Sequence, residues 1–136
     1  MDKEQHVSWS EIDSLIEQLS NLILKSKNKF SSITTLSRGG LVPSRLLADH
    51  LGIEKIFVDE KIIPSNSLVV DDIFDSGKTF EKIISISEDS SKLLYATLFA
   101  RRGKKFPSQL IYGRETDNDG YVVFPWDKIE FQTSTK

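Results

Sequence analysis

The stretch Leu68-Val69-Val70-Asp71-Asp72-Ile73-Phe74-Asp75-Ser76-Gly77-Lys78-Thr79 places three carboxylates between an apolar run and a cluster of hydroxyls, a glycine and an ammonium group. If a helix starts near Lys78, the consecutive N–H groups of residues 76–79 form an anion cradle together with two side-chain hydroxyls and Lys78. The helix terminus alone favours a phosphate there by ~0.3–2 kcal/mol. The acids ahead of the cradle would repel that phosphate unless they held something else, and paired carboxylates beside a phosphate suit Mg²⁺ or sugar hydroxyls. Two rival motifs fail on the residues. A Walker A loop needs glycine five positions before Gly77, where Asp72 stands. A receiver domain needs more chain after Asp72 than is present. A capped helix after an ordinary loop remains an alternative for the stretch taken alone. A second polar turn, Ser37-Arg38-Gly39-Gly40, follows another β-branched run, Ile33-Thr34-Thr35-Leu36.

Both turns sit where open α/β sheets bind ligands, at the carboxyl ends of apolar strands. The elements that position them read along the chain as follows. Ser8-x-x-Glu11 is a capping box, and Ile12, Leu15, Ile16, Leu19, Leu22 and Ile23 recur at helical spacing, so a helix runs to about Lys25–Lys29. Val42, Leu46, Leu47 and Leu51 form a second stripe, stopped by Gly52. Ile56-Phe57-Val58, Leu68-Val69-Val70 and Leu93 to Phe99 read as strands, Asp71 to Lys78 as a turn, and Phe80, Ile83 and Ile84 as the start of a third helix. Leu110-Ile111-Tyr112 and Tyr121 to Phe124 are two further short strands, and Gln132 to Lys136 should fray. Alternating strands and helices, with nearly continuous apolar strands, predict an α/β fold: a largely parallel twisted sheet covered by helices. Asp59 to Ser67 is too short for the usual parallel crossover, so a hairpin or an open loop is expected there.

With 136 residues, 18 basic and 20 acidic side chains, the chain reads as a single domain, 1–136, around one core. A net charge of −2 argues against a nucleic-acid partner. The absence of cysteine removes disulfides and thiolate metal sites, and His6 and His50 are too few for a zinc centre; they read as a tail residue and a helix-end residue. No apolar run is long enough to cross a bilayer and the polar start is unlike a signal peptide, so a soluble, cytoplasmic protein without membrane association is expected.

Asp71-Asp72-x-x-Asp75-Ser76-Gly77-Lys78-Thr79 after its Leu-Val-Val strand resembles the phosphoribosyl pyrophosphate signature of type I phosphoribosyltransferases. Ser37-Arg38-Gly39-Gly40-Leu41-Val42-Pro43 resembles the pyrophosphate loop of the xanthine-guanine (hypoxanthine) branch, and the likeness extends through Leu51-Gly52-Ile53. Trp9, Phe99-Ala100-Arg101 and Tyr121-Val122-Val123-Phe124-Pro125-Trp126-Asp127 follow in the family's order. The resemblance implies Mg²⁺-dependent transfer of a 5-phosphoribosyl group from phosphoribosyl pyrophosphate to a 6-oxopurine (guanine, xanthine or hypoxanthine), as in purine salvage. It further implies a minimal C-terminal hood, 109–136, over the base.

By the same resemblance, Ser37, Arg38, Gly39 and Gly40 hold pyrophosphate. Asp71 and Asp72 hold the ribose hydroxyls and the metal, Ser76, Gly77, Lys78 and Thr79 hold the 5′-phosphate, and Asp75 is the acid/base partner of purine N7. A helix N-cap is the structural alternative for Asp75. Arg101 stands at the family's lysine position; as a pure donor it should favour a 6-oxo over a 6-amino purine, while Arg102 points to the other strand face. Tyr121 matches the ring-stacking aromatic, Val122 the residue whose main chain reads the base edge, and Asp127 an acid near pyrophosphate-bound Mg²⁺; Phe124 and Trp126 are expected to pack. The Ser37–Arg38 peptide is expected to be cis. One departure stands out: residues 59–67 lack the family's long flexible loop and its Ser-Tyr pair, so a lid must come from elsewhere, and a homodimer is expected. Readings from other classes are a non-catalytic phosphoribosyl pyrophosphate- or nucleotide-binding regulator, and a transferase for another base.

Overall fold

The first helix, α1 (Trp9–Lys25), begins where its sequence says it should: the Glu11 N–H donates to Ser8 Oγ at 3.1 Å, and the Glu11 carboxylate accepts from the Ser8 N–H. Its buried stripe, Ile12, Leu15, Ile16, Leu19 and Ile23, faces the sheet. The computed structural model describes residues 3–128, and Gln132 to Lys136 lie outside them.

Seven strands and three helices follow one another in the described residues: β1 (Gln5–His6), α1, β2 (Ser32–Thr35), α2 (Leu41–Leu51), β3 (Lys55–Val58), β4 (Ser67–Phe74), α3 (Lys78–Ile86), β5 (Tyr95–Ala100), β6 (Leu110–Glu115) and β7 (Val122–Val123). Five strands form one all-parallel sheet in the order β3-β2-β4-β5-β6. Strand alternation divides the core between its faces. Leu68 and Val70 of β4 join the cluster beneath α1 and α2, whereas Val69 joins Ile83 of α3 and Ile63 on the other side. Gly52 ends α2 with its backbone in the left-handed region, where a side chain would be strained.

Two local expectations are corrected, and of two alternatives for the β3–β4 link the open loop is the one found. The turn expected from Asp71 starts later, because β4 continues to Phe74: Asp71 pairs with Thr97 and Ile73 with Phe99, and hydrogen-bonded partners make the acid tolerable inside a sheet. The link from β3 to β4 is no hairpin, since both strands run parallel to β2 on either side of it. At ~3.3 Å per extended residue, the open segment is long enough to descend a short strand and step over one neighbour without a helix. His6 is no tail residue: β1 pairs in parallel with β7, Gln5 opposite Val122 and His6 opposite Val123, in a small sheet of its own.

Candidate active site

Strands β2 and β4 are neighbours, so the turns after them meet at one edge of the sheet, where a cavity of about 570 Å³ opens between the 37–42 loop, the 71–80 segment and the C-terminal hood. Residues 38–40 form one 3₁₀ turn, closed by the Gly40 N–H donating to the Ser37 carbonyl at 3.2 Å. The two glycines serve close approach. A Cβ on Gly39 would collide with the Asp72 carboxylate, and one on Gly40 would collide with the Thr35 hydroxyl and crowd the Val70 carbonyl. The Ser37–Arg38 peptide is trans rather than the expected cis. Trans is favoured by ~2.5–4 kcal/mol. The 3₁₀ turn, together with the bond from Ser37 Oγ to Asp71 at 2.9 Å, holds the loop in this form.

Asp71 and Asp72 are adjacent but differently placed. The buried Asp71 carboxylate accepts from Ser37 Oγ, from the Asp72 N–H at 2.8 Å and from the Tyr95 hydroxyl at 3.2 Å. Tyr95 stacks on Phe80 with ring centroids 6.0 Å apart. Burial, reinforced by the charge of Asp71, pushes its hydroxyl far above the usual tyrosine value, so it remains a donor. Asp72 accepts from the Ile73 N–H at 2.9 Å and lies against Gly39. Burial first, then the Asp71 charge, raises its carboxyl well above the usual carboxylate range. Two adjacent oxygen-donor acids, whose crowding a bound positive charge would relieve, fit a hard cation whose other ligands come from substrate and water. Asp127 stands apart from the pair, on the hood, and among the described residues no three acidic, histidine or cysteine side chains gather at one centre.

Gly77 turns the chain from β4 into α3 with a positive φ, a conformation glycine adopts without strain. Ser76, Gly77 and Thr79 line the cavity, whereas the exposed Lys78 and the buried Gly40 stand outside its lining. Asp75 lines the cavity and does not cap the helix; its carboxylate faces Arg101, with Nε to Oδ1 at 3.1 Å and Nη2 to Oδ2 at 3.4 Å. Arg101 is buried behind it and contributes no cavity lining, while Arg102 is exposed; β5 ends at Ala100, so the two lie in the turn after it and not on opposite strand faces.

The hood is built from different material. Tyr121, Trp126 and Asp127 line the cavity, and the Tyr121 hydroxyl donates to Asp127 Oδ2 at 3.1 Å. Phe124 packs in the core as expected; Trp126 stacks on it with centroids 5.0 Å apart but also faces the cavity. The Gln5 and Val7 N–H groups donate to the carbonyls of Tyr121 and Val123 at 2.9 Å. In a parallel ladder this turns the backbone groups of the intervening Val122 away from β1, while its side chain is buried in the core; Val122 is not among the cavity-lining residues.

Sequence reasoning missed Tyr95 and β1. A tyrosine in the apolar run Leu93 to Phe99 was a signal, because a buried hydroxyl needs a partner and the neighbouring strand carries the acids. The brace formed by β1 had no signal, since two residues carry no periodicity.

No protein-family model matches the chain. In sequence it is 28% identical over 144 aligned positions to the xanthine-guanine phosphoribosyltransferase of Gluconobacter oxydans, covering 89% of this chain and 83% of that one. In structure it superposes on the Helicobacter pylori xanthine-guanine-hypoxanthine phosphoribosyltransferase with a TM-score of 0.77 at 18% identity, covering 98% of this chain and 99% of that one. It also superposes on a Neisseria gonorrhoeae hypothetical protein with bound ppGpp, TM-score 0.72 at 18% identity, covering 99% and 95%. The fold is therefore that of the type I phosphoribosyltransferases.

Proposed function

We propose that this protein is a purine phosphoribosyltransferase acting on 6-oxopurines, with Mg²⁺ held at Asp71 and Asp72, working in the cytoplasm as a homodimer. The observation that carries the reading is the meeting of the 37–40 loop, the acid-rich end of β4 and the hood around one cavity. Bound Mg²⁺ would neutralise pyrophosphate charge; the remaining work falls to the chain. The N–H groups of the 37–40 loop and the Arg38 guanidinium hold the departing pyrophosphate, and residues 76–79 fix the 5′-phosphate. The bond from the anomeric carbon to pyrophosphate oxygen breaks, a bond to the purine nitrogen forms, and the ring proton displaced in that exchange passes to Asp75. Charge fixed in advance on both sides of the ribose is the main source of rate. Tyr121 and Trp126 offer faces for the base, and Asp127 an acid on the pyrophosphate side.

The open segment 59–66 does not supply a lid. Ile63 is buried, its N–H donates to the Ile86 carbonyl and its carbonyl accepts from the Glu88 N–H, both at 2.9 Å. That anchor lies at the far end of α3, the whole length of the helix away from the phosphate turn. Cover must come from a second subunit, or ribosyl leaks to water. No helix among the described residues is long and apolar enough to cross a membrane.

The test is incubation with Mg²⁺, phosphoribosyl pyrophosphate and a panel of bases, measuring nucleotide and pyrophosphate, alongside sedimentation. Nucleotide should form with guanine, xanthine or hypoxanthine, and Asp75→Asn should reduce transfer ~10²–10⁴-fold while leaving phosphoribosyl pyrophosphate binding intact. A fast monomer releasing pyrophosphate only with base would remove the dimer and the leak together. The Neisseria neighbour's ligand favours a second reading, a nucleotide-binding regulator; nucleotide binding without transfer to any base would select it.

A further inference from the structure

Arg101 directly follows β5 beneath the hood, and its side chain is 11% exposed where that of Asp75 is 57% exposed. A guanidinium has five N–H donors, and four of them are engaged by the protein. Two go to the Asp75 carboxylate, one to each oxygen. Two from Nη1 go to the carbonyls of Asn118, 3.1 Å, and Gly120, 2.9 Å. The exposed Arg102 side chain, in the turn after β5, donates to the Asp117 carbonyl from the solvent side.

We propose that Arg101 is a positioning residue: it clamps the acid/base carboxylate Asp75 to the hood loop 118–120 and so sets the width of the base cleft, without itself reading the base. The inference rests on the proposed transferase reading. A planar fork bonded to both carboxylate oxygens fixes the plane of the acid as well as its distance. The same cation holds the Asn118 and Gly120 carbonyls in the three residues before Tyr121, so the acid that meets the ring edge and the ring that meets its face share one anchor. An ammonium group at this position is a point charge, unable to present the same fork to both partners.

The clamp and a direct base contact predict different kinetics. Arg101→Gln should lower kcat for guanine, hypoxanthine and adenine by a common factor of about 10²-fold, since misplacing a reacting group by about an ångström costs that much. The ratio between 6-oxo and 6-amino purines should hold, and phosphoribosyl pyrophosphate binding should not change. Adding Asp75→Asn to Arg101→Gln should cost far less than Asp75→Asn alone, because both act on one group. Arg101→Lys, which keeps the buried cation, should show the same base-independent loss in smaller size. A shift in the guanine-to-adenine ratio in either variant, or a double mutant losing the full product of the two factors, overturns the clamp. If the wild-type chain transfers ribosyl to no purine, the transferase reading fails, but the clamp is still tested by hydrogen exchange. Arg101→Gln should speed exchange of the amides of residues 118–122 about tenfold, and unchanged exchange overturns it.

Discussion

The two walls of the cavity are held by different physics. The wall made by residues 37–40 and 71–79 is the continuation of β2 and β4, which pair with each other inside a five-stranded sheet buried on both faces. The hood hangs on two residue pairs between β1 and β7, on Gln5, on the arginines just after β5, and on Val122 and Phe124, which reach the margin of the core. Opening the first wall means breaking the sheet, whereas the second can open by giving up a two-residue ladder, a few side-chain anchors and the margin of the core formed by Val122 and Phe124. A site that binds a highly charged sugar phosphate on the rigid side and a flat base on the side with few anchors can keep its charges fixed while the base enters and the nucleotide leaves.

Gly40→Ala attacks the rigid wall and should have the largest effect. The added methyl meets the Thr35 hydroxyl and the Val70 carbonyl, and the second is sheet backbone that cannot move aside. The loop must shift, so phosphoribosyl pyrophosphate affinity should fall at least ~10²-fold, with overpacking costing about 1–3 kcal/mol of stability. Calorimetry for binding and thermal melts for stability check both. Tight binding retained in Gly40→Ala would show that the loop is as pliable as the hood, and the contrast would collapse.

The same division explains what was legible in the sequence. The sheet wall was readable because each part leaves a local mark: apolar runs for β2 and β4, a capping box at Ser8, glycines where backbone crowds, acids and hydroxyls in fixed order. The boundary error at Asp71 arose because propensity ends a strand at paired acids, while three hydrogen-bond donors, on β4 and β5 and in the loop after β2, let it continue. The hood was legible as a string of residue types, Tyr121 to Asp127, but not as a structure. Its supports join Gln5 to Asp117 and Tyr121, Val7 to Val123, and Arg101 to Asn118 and Gly120, contacts between separate parts of the chain that no local pattern encodes. The partners of Arg101 were illegible for the same reason, since residue type says what it donates and only the fold says to whom.

Gln5→Ala tests the hood with a smaller effect. Gln5 is 7% exposed and its Oε1 accepts from the Asp117 N–H at 2.8 Å. Truncation leaves that amide without its partner, a local cost of ~1–3 kcal/mol. The expected result is a rise of about tenfold in KM for the base with unchanged phosphoribosyl pyrophosphate affinity. Equal losses on both substrates would mean that the walls are mechanically coupled.

The smallest effect separates the two acids within the rigid wall itself. Asp72 carries its charge at a cost in the metal-free protein, because burial and the Asp71 carboxylate both favour its protonated form. A folded-state carboxyl raised above its ordinary value of 3.8 contributes stability at acid pH that is lost as pH rises through the folded value. In chelator, the stability contributed by Asp72 should therefore decline as pH rises above its ordinary value, read as the difference between wild type and Asp72→Asn across pH. Asp72→Asn removes that contribution and should stabilise the metal-free chain at pH 7 by on the order of 1 kcal/mol, a few degrees in Tm, while weakening substrate and metal binding. Asp71→Asn should do the reverse. Its carboxylate accepts from Ser37, Tyr95 and the Asp72 N–H. With its oxygen kept on Ser37 and the Asp72 N–H, the amide nitrogen faces the Tyr95 hydroxyl, which must turn to accept and so loses the carboxylate its own buried O–H donates to, at ~1–3 kcal/mol. Opposite signs for two adjacent aspartates in thermal melts would separate an acid that holds the wall together from one kept there for its ligand; equal signs would mean that the pair behaves as one group.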